Sequence, residues 1–353
     1  MNKILIPIAT FGLLVLSCSK SSSPAAVSPA VAQQTFSTVN TDVSAAVSGL
    51  NTAPGSVALS SFSNFTGTTG NPFGRIQTLH KPGDIKTMIG AGLVSIRQMI
   101  LKGSGNERIQ GGTAFDFASK KGIYIYNFDT KVFDKSPNTS DIIKIQYPKD
   151  TTSVSNDAEL QITAYTEVST PQGYNPTLIQ AAIYIPIGGT KEVDLKLTAG
   201  YDSNGDPNKG SVDLFVNPYT ISFSFDDSGA TTATESFSFS KSGTVIIATN
   251  ATATFASAAD KTNGNPPIAV TGYVKLENVV FNFAVDGTKS SNEPNDFVTI
   301  SVSIDGGAAG KVVFVQDPND PNNEIPYIRY NDQTQTPLST VFADLANQLN
   351  SLG

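Results

Sequence analysis

Oxygen donors recur at alternate positions in Asp202-Ser203-Asn204-Gly205-Asp206-Pro207-Asn208, and Asp213 follows a few residues on. Hard cations such as calcium take six to eight such oxygens, so Asp202, Asn204, Asp206, Asn208 and Asp213 form a candidate calcium set. The competing expectation is a polar hairpin turn between Tyr201 and Val212, because Asn-Gly is a strong turn signal. The other reactive side chains are few. His80 is the single histidine and stands just before Lys81-Pro82-Gly83, where a loop is expected. One histidine cannot build a histidine-rich zinc site, and neither an H-E-x-x-H nor a G-x-S-x-G motif is present. Carboxylates are plentiful enough for a hydrolytic pair, yet the chain has no Trp to platform a sugar. A non-enzymatic protein without a required cofactor is the expectation, with calcium as the one ion the sequence suggests.

The loop at 202–213 resembles the EF-hand type of calcium loop in its alternating donors. Two departures matter: Pro207 takes the place where that loop needs Gly, and Asp213 replaces its bidentate Glu. The flanking segments also read as strands, not helices. Asp317-Pro318-Asn319-Asp320-Pro321-Asn322-Asn323-Glu324 is similar in composition, and its prolines make it a stiff acidic loop.

Cys18 is the single cysteine, so no intramolecular disulfide is available. Its context gives it a different chemistry. Met1 to Lys3 is short and positive, and Ile4 to Leu16 is apolar but too short to span a bilayer as a stable helix. The run ends in Val15-Leu16-Ser17-Cys18, which resembles the bacterial lipobox, with Val where Leu is usual. The resemblance implies cleavage after Ser17, thioether lipidation of Cys18 and acylation of the new N-terminus. Two or three acyl chains anchor far more firmly than one. In such lipoproteins an Asp after the cysteine often marks inner-membrane retention, and acidic residues there mark surface export in some lineages. Ser19-Lys20-Ser21-Ser22-Ser23 has neither, which points to the outer membrane and its periplasmic face rather than the cell surface.

Composition narrows the partners. The formal net charge is −7. A nucleic-acid partner would need clustered Lys and Arg, and so would docking on anionic headgroups. The expected partners are the membrane, through lipid on Cys18, and an apolar ligand such as a lipid. Charged residues are 15% and hydrophobic residues 39%, so the chain is neither a charged disordered polymer nor a membrane bundle. Ser, Thr, Asn and Gly fill the remainder, which suits turns and the wet faces of antiparallel sheets.

These groups need elements to position them. Residues 1–17 are expected to be a signal peptide and 18–36 a flexible lipidated tether, poor in charge and rich in Ser, Ala and Pro. A β-rich domain over 37–353 follows, with helices near 41–50, 84–102 and 337–352. Ile85, Ile89, Leu93, Ile96 and Ile100 recur at helical steps behind Asp84, and Leu338, Val341, Phe342, Leu345, Leu349 and Leu352 do so behind Pro337. Period-two stripes mark strands at Val193–Tyr201, Tyr219–Phe225, Phe237–Phe239 and Val298–Ile304. A phase slip between Leu276 and Val279 suggests a bulge at Asn278. Asn204-Gly205, Asp286-Gly287 and Asp305-Gly306 read as turns. Ile123–Phe128 and Ala181–Ile187 are apolar on both faces, as in the middle of a doubly covered sheet.

The fold class is therefore mainly β (α+β): a large antiparallel curved sheet or half-barrel with N-terminal and C-terminal helices packed on it. A two-sheet sandwich or tandem β-domains is the alternative. In element order the layout resembles the lipoprotein-carrier (LolA-like) half-barrels, which implies an envelope protein binding a hydrophobic ligand on the covered face of its sheet. The rival is a structural or adhesive surface lipoprotein with a solid core, motivated by the hydroxyl-rich wet faces.

Overall fold

The computed structural model describes residues 25–65, 68–72, 114–150, 152–171, 173–291, 293–317 and 320–345. Cys18, His80 and the expected helix over 84–102 lie outside them, as does the last part of the expected helix over 337–352.

The chain is mainly β, and among the described residues all strands belong to one 16-stranded sheet that does not close into a barrel. The strands are β1 (Gly122–Asn127), β2 (Val132–Lys135), β3 (Ile143–Tyr147), β4 (Ala158–Thr170), β5 (Gly173–Ile185), β6 (Thr190–Tyr201), β7 (Pro207–Val216) and β8 (Tyr219–Asp226). They continue as β9 (Thr232–Lys241), β10 (Thr244–Thr254), β11 (Ala269–Leu276), β12 (Val279–Asp286), β13 (Val298–Ile304), β14 (Gly307–Asp317), β15 (Asp320–Tyr330) and β16 (Gln335–Pro337). From β3 to β16 each strand pairs antiparallel with the next. Consecutive hairpins keep adding to one edge, so neither the sandwich nor the tandem-domain alternative forms. The expected all-antiparallel pairing fails at one place: β1 runs parallel to β3, with β2 outside it. Ile123–Phe128 thus lies next to an edge, not mid-sheet.

Among the described residues three helices cover one face. They are α1 (Pro29–Gly49), α2 (Pro54–Ser63) and, after a short α3 (Phe117–Lys120), α4 (Ala258–Thr262) and α5 (Pro294–Phe297), the closing α6 (Leu338–Val341). Of these, α1, α2 and α6 form the cover. The hydroxyl of Ser28 accepts from Val31 N–H and Pro29 stands in the first turn, so α1 starts eight residues earlier than a tether ending at Phe36 allows. The reason is Ala32 and Phe36, both 0% exposed and one helical turn apart. They extend the stripe of Val39, Val43 and Val47 that the sheet buries.

Helices α1 and α2 cross the strands at one end of the sheet, the near end. Gly49 lies against the hydroxyl of Tyr219, Gly55 against the backbone of Val216 and Asn217, and Ser61 donates to the carbonyl of Pro148 at 3.1 Å. The 21 residues of α1 span about 31 Å. That matches the six strand spacings from β14 to β8, about 29 Å. α6 and the residues after it close the layer: Phe342 packs on Phe36 with ring centroids 5.8 Å apart and on Phe281 at the same distance.

Near-end hairpins are tight. Ser242-Gly243 and Asp305-Gly306 have φ of 50°, 83°, 50° and 80°, as type I′ turns require. Glu277 (φ 52°) and Asn278 make another two-residue turn, in which only Glu277 takes the left-handed conformation. The phase slip read as a bulge is this hairpin: Val274 faces Phe281 and Leu276 faces Val279 across it, all on one side. The two longest connections, between β10 and β11 and between β12 and β13, lie at the opposite, far end, although β4–β5 is tight there and the near-end β3–β4 connection is also long.

Candidate functional site

Cross-strand registers define the inner, helix-bearing face. Val193, Leu195, Leu197 and Ala199 on β6 stand opposite Val216, Leu214, Val212 and Gly210 on β7. Those oppose Tyr219, Ile221, Phe223 and Phe225 on β8. At the near end these rows are buried beneath α1 and α2. Towards the far end several apolar side chains are only half-buried, namely Leu197 and Ala199, Val270, Phe283 and Val285, and Val298 and Ile300, while Phe225 stays buried. Phe283 faces Ile300 on β13 and Gly272 on β11, where a Cβ would strike the carbonyl of Asn250 and the Phe283 ring. Gly272 thus gives the Phe283 ring its space. At β4, the segment entering α3 covers part of the face: Phe115 meets Tyr165 at 5.0 Å between centroids.

Two carboxylates interrupt this face. Glu235, half-buried, lies between Phe225 on β8 and Ala251 on β10. Glu167 accepts from the Phe115 N–H at 2.6 Å and from the Tyr165 hydroxyl at 2.8 Å, which ties the α3 segment to β4. Sequence reasoning passed over both. The signal for Glu235 is parity: it shares the phase of Phe237 and Phe239, so it must face inward with them.

The far end also carries a cleft of about 320 Å³ lined by Val168, Thr170, Thr177, Tyr201 and Asp202. Tyr201 donates to the carbonyl of Pro176 at 2.8 Å, and burial pushes its hydroxyl up to about 12. A second groove, of about 750 Å³, runs at the near end between α1 and the turns at Thr244 and Glu277. Burial and the neighbouring Asp42 carboxylate raise Glu277 above the usual carboxylate range.

The candidate calcium set does not converge. Asp202 closes the β6–β7 turn on itself: its Oδ1 accepts from the N–H groups of Asn204 and Asp206, each at 2.9 Å. Gly205, at φ 85°, supplies the turn's left-handed residue. Asn208 is already in β7, where its carbonyl accepts from Asp227 N–H at 2.7 Å and its side-chain oxygen is buried without a partner. Asp213 lies further up β7, about 17 Å beyond Asn208 at the rise of a strand. There it faces Lys196 and Ser222 on the outer side of the sheet. Any cation at the turn would draw on Asp202, Asn204, Asp206 and Asn208 alone. Among the described residues no three His, Cys, Asp or Glu side chains cluster as metal ligands.

The acidic segment at 317–324 is also more ordered than a loop. Asp317 pairs with Asp320, and the residues from Asp320 on belong to β15, whose open edge carries Pro321 and Pro326. Outside, hydroxyls pair across strands: Thr198 with Ser211 and Ser224 with Ser236, both at 2.7 Å.

Comparison with family models, curated proteins and solved structures gives no match for this chain. Among the described residues no helix is long and apolar enough to cross a membrane.

Proposed function

We propose that this chain is a lipid-anchored envelope protein whose sheet holds an apolar ligand, such as an acyl chain, on the far half of its inner face. The anchor is Cys18, and the site of action is the periplasmic face of the outer membrane. The observation that carries ligand binding is the row of the inner face beyond the helices that runs from Ala199 through Phe225 and Ala251 to Phe283 and Ile300, half-buried except at Phe225 and interrupted by one carboxylate, Glu235. Apolar surface left part-open beside polar loops is what a lipid-binding site offers. The proposed role is binding, with no chemical step.

The test uses the Cys18→Ala chain purified from the periplasm without detergent, followed by solvent extraction and mass spectrometry. Near-stoichiometric acyl lipid is expected, and its loss in a Phe283→Glu, Ile300→Glu double variant that keeps its β-type circular dichroism. An extract free of lipid would contradict the reading.

The filled core under α1 and α2, with the hydroxyl ladders on the outer face, favours a second reading: a structural or adhesive surface lipoprotein. Protease added to intact cells separates the two, since only a surface protein would be cut.

A further inference from the structure

We propose that the near end of the sheet is the surface this protein turns towards the lipid bilayer, so that its far end points away. The proposal rests on the anchor at Cys18 put forward above. The chain enters the fold at one corner of the near end. Val27 N–H donates to the Ala308 carbonyl at 2.9 Å, and the Asn331 side-chain amide donates to the carbonyls of Ala308 at 2.8 Å and Val27 at 3.2 Å. Gly307 lies so close beneath that a Cβ there would stand 2.6 Å from the Ala25 carbonyl oxygen. The turns that begin β14 and end β15 therefore hold residues 25–27 before α1 starts.

The length of chain left over sets the distance. From Cys18 to Ala25 the backbone can reach at most about 25 Å. The strands are longer: β10, from Thr244 at the near end to Thr254 at the far end, runs about 33 Å. An anchor joined at the near-end corner by so short a leash keeps that end at the membrane.

The distribution of exposed apolar side chains agrees independently. Val31 on α1 and Val57 on α2 are 53% and 54% exposed, and Val154, between β3 and β4, is 90% exposed. Ile187 and Val245, in or beside near-end turns, are also exposed. These five of the eight exposed large apolar side chains rim the end where the anchor leaves; of the other three, Val168 and Ile268 lie at the far end and Tyr273 in the middle of β11. Scattered over a surface they would mean little; gathered beside acyl chains they suit contact with lipid. The contact is apolar, since the net charge of −7 gives no attraction to anionic headgroups. The long loops and the cleft beside Tyr201 then face away from the bilayer.

Energy transfer tests the orientation. The full lipidated chain is reconstituted in phosphatidylethanolamine–phosphatidylglycerol vesicles carrying a headgroup acceptor dye. A donor dye is attached through Thr244→Cys or, at the far end, Ala259→Cys; the Cys18 sulfur is blocked by its thioether. Quenching several-fold stronger from position 244 is expected. Vesicle flotation with equal or reversed quenching overturns the orientation while leaving the anchor standing. Failure to float, or flotation that persists in Cys18→Ala, removes the anchor itself and the orientation with it.

Discussion

Asn40 shows how much one polar side chain can organise. It is 7% exposed, its amide donates to Asp344 Oδ2 at 2.8 Å, and its oxygen accepts from the Leu345 N–H at 2.9 Å. It joins α1 to residues about three hundred positions later. Asn40→Ala strands the buried Leu345 N–H, at a cost of about 1–3 kcal/mol; urea unfolding should show it as a lower midpoint. Surface carboxylates respond to pH in two directions. Asp226 and Asp286 are held below the usual carboxylate range by hydrogen bonds, first from the hydroxyls of Ser228 and Thr288 and then from their N–H groups. A depressed folded value adds stability above the unfolded value and loses it as the pH falls through the folded one. Glu277 is the reverse. Its raised value, from burial first and Asp42 second, means that ionisation in the fold is unfavourable. Its contribution is complete below the ordinary glutamate value and disappears as pH rises. Glu277→Gln should therefore raise the urea midpoint at pH 7 and leave it unchanged at pH 3, where Glu277 is already protonated.

At the scale of elements, the sheet is held by the helices that cross its near end. Phe36 is fully buried between Tyr330, at 6.4 Å between centroids, and Phe342. Phe36→Ala should destabilise the fold by about 3–5 kcal/mol, as aromatic-to-alanine changes in cores do; thermal unfolding followed by circular dichroism measures it. Much of this architecture was legible. Alternation at Val193–Tyr201 and Val298–Ile304 marked β6 and β13 because each strand has one dry and one wet face. Reading failed where two cues compete. Val274 to Phe281 looked like one strand out of phase because Glu277, not a glycine, takes the left-handed turn position. Pro29 to Phe36 looked like tether because Gln33, Gln34 and Thr35 stand between Ala32 and Phe36 and hide that step. The alternating oxygens at 202–213 looked like one site because sequence distance does not show the length of a strand: β7 carries Asp213 away from the turn.

For the whole molecule, the two ends of the sheet divide the labour. The near end has tight turns, the helical layer and the point where the chain enters. The far end has the long loops, the Tyr201 cleft and the apolar row of Phe283 and Ile300. Long loops on a rigid scaffold are where binding residues are most often placed. Central to this account is that the scaffold hangs from Cys18. Intact-mass spectrometry of the chain purified from membranes tests it most directly. The expected product is a polypeptide beginning at Cys18 with the added mass of a diacylglyceryl thioether and an N-linked acyl chain. A chain that retains Met1, or that carries a free thiol at Cys18, would contradict it.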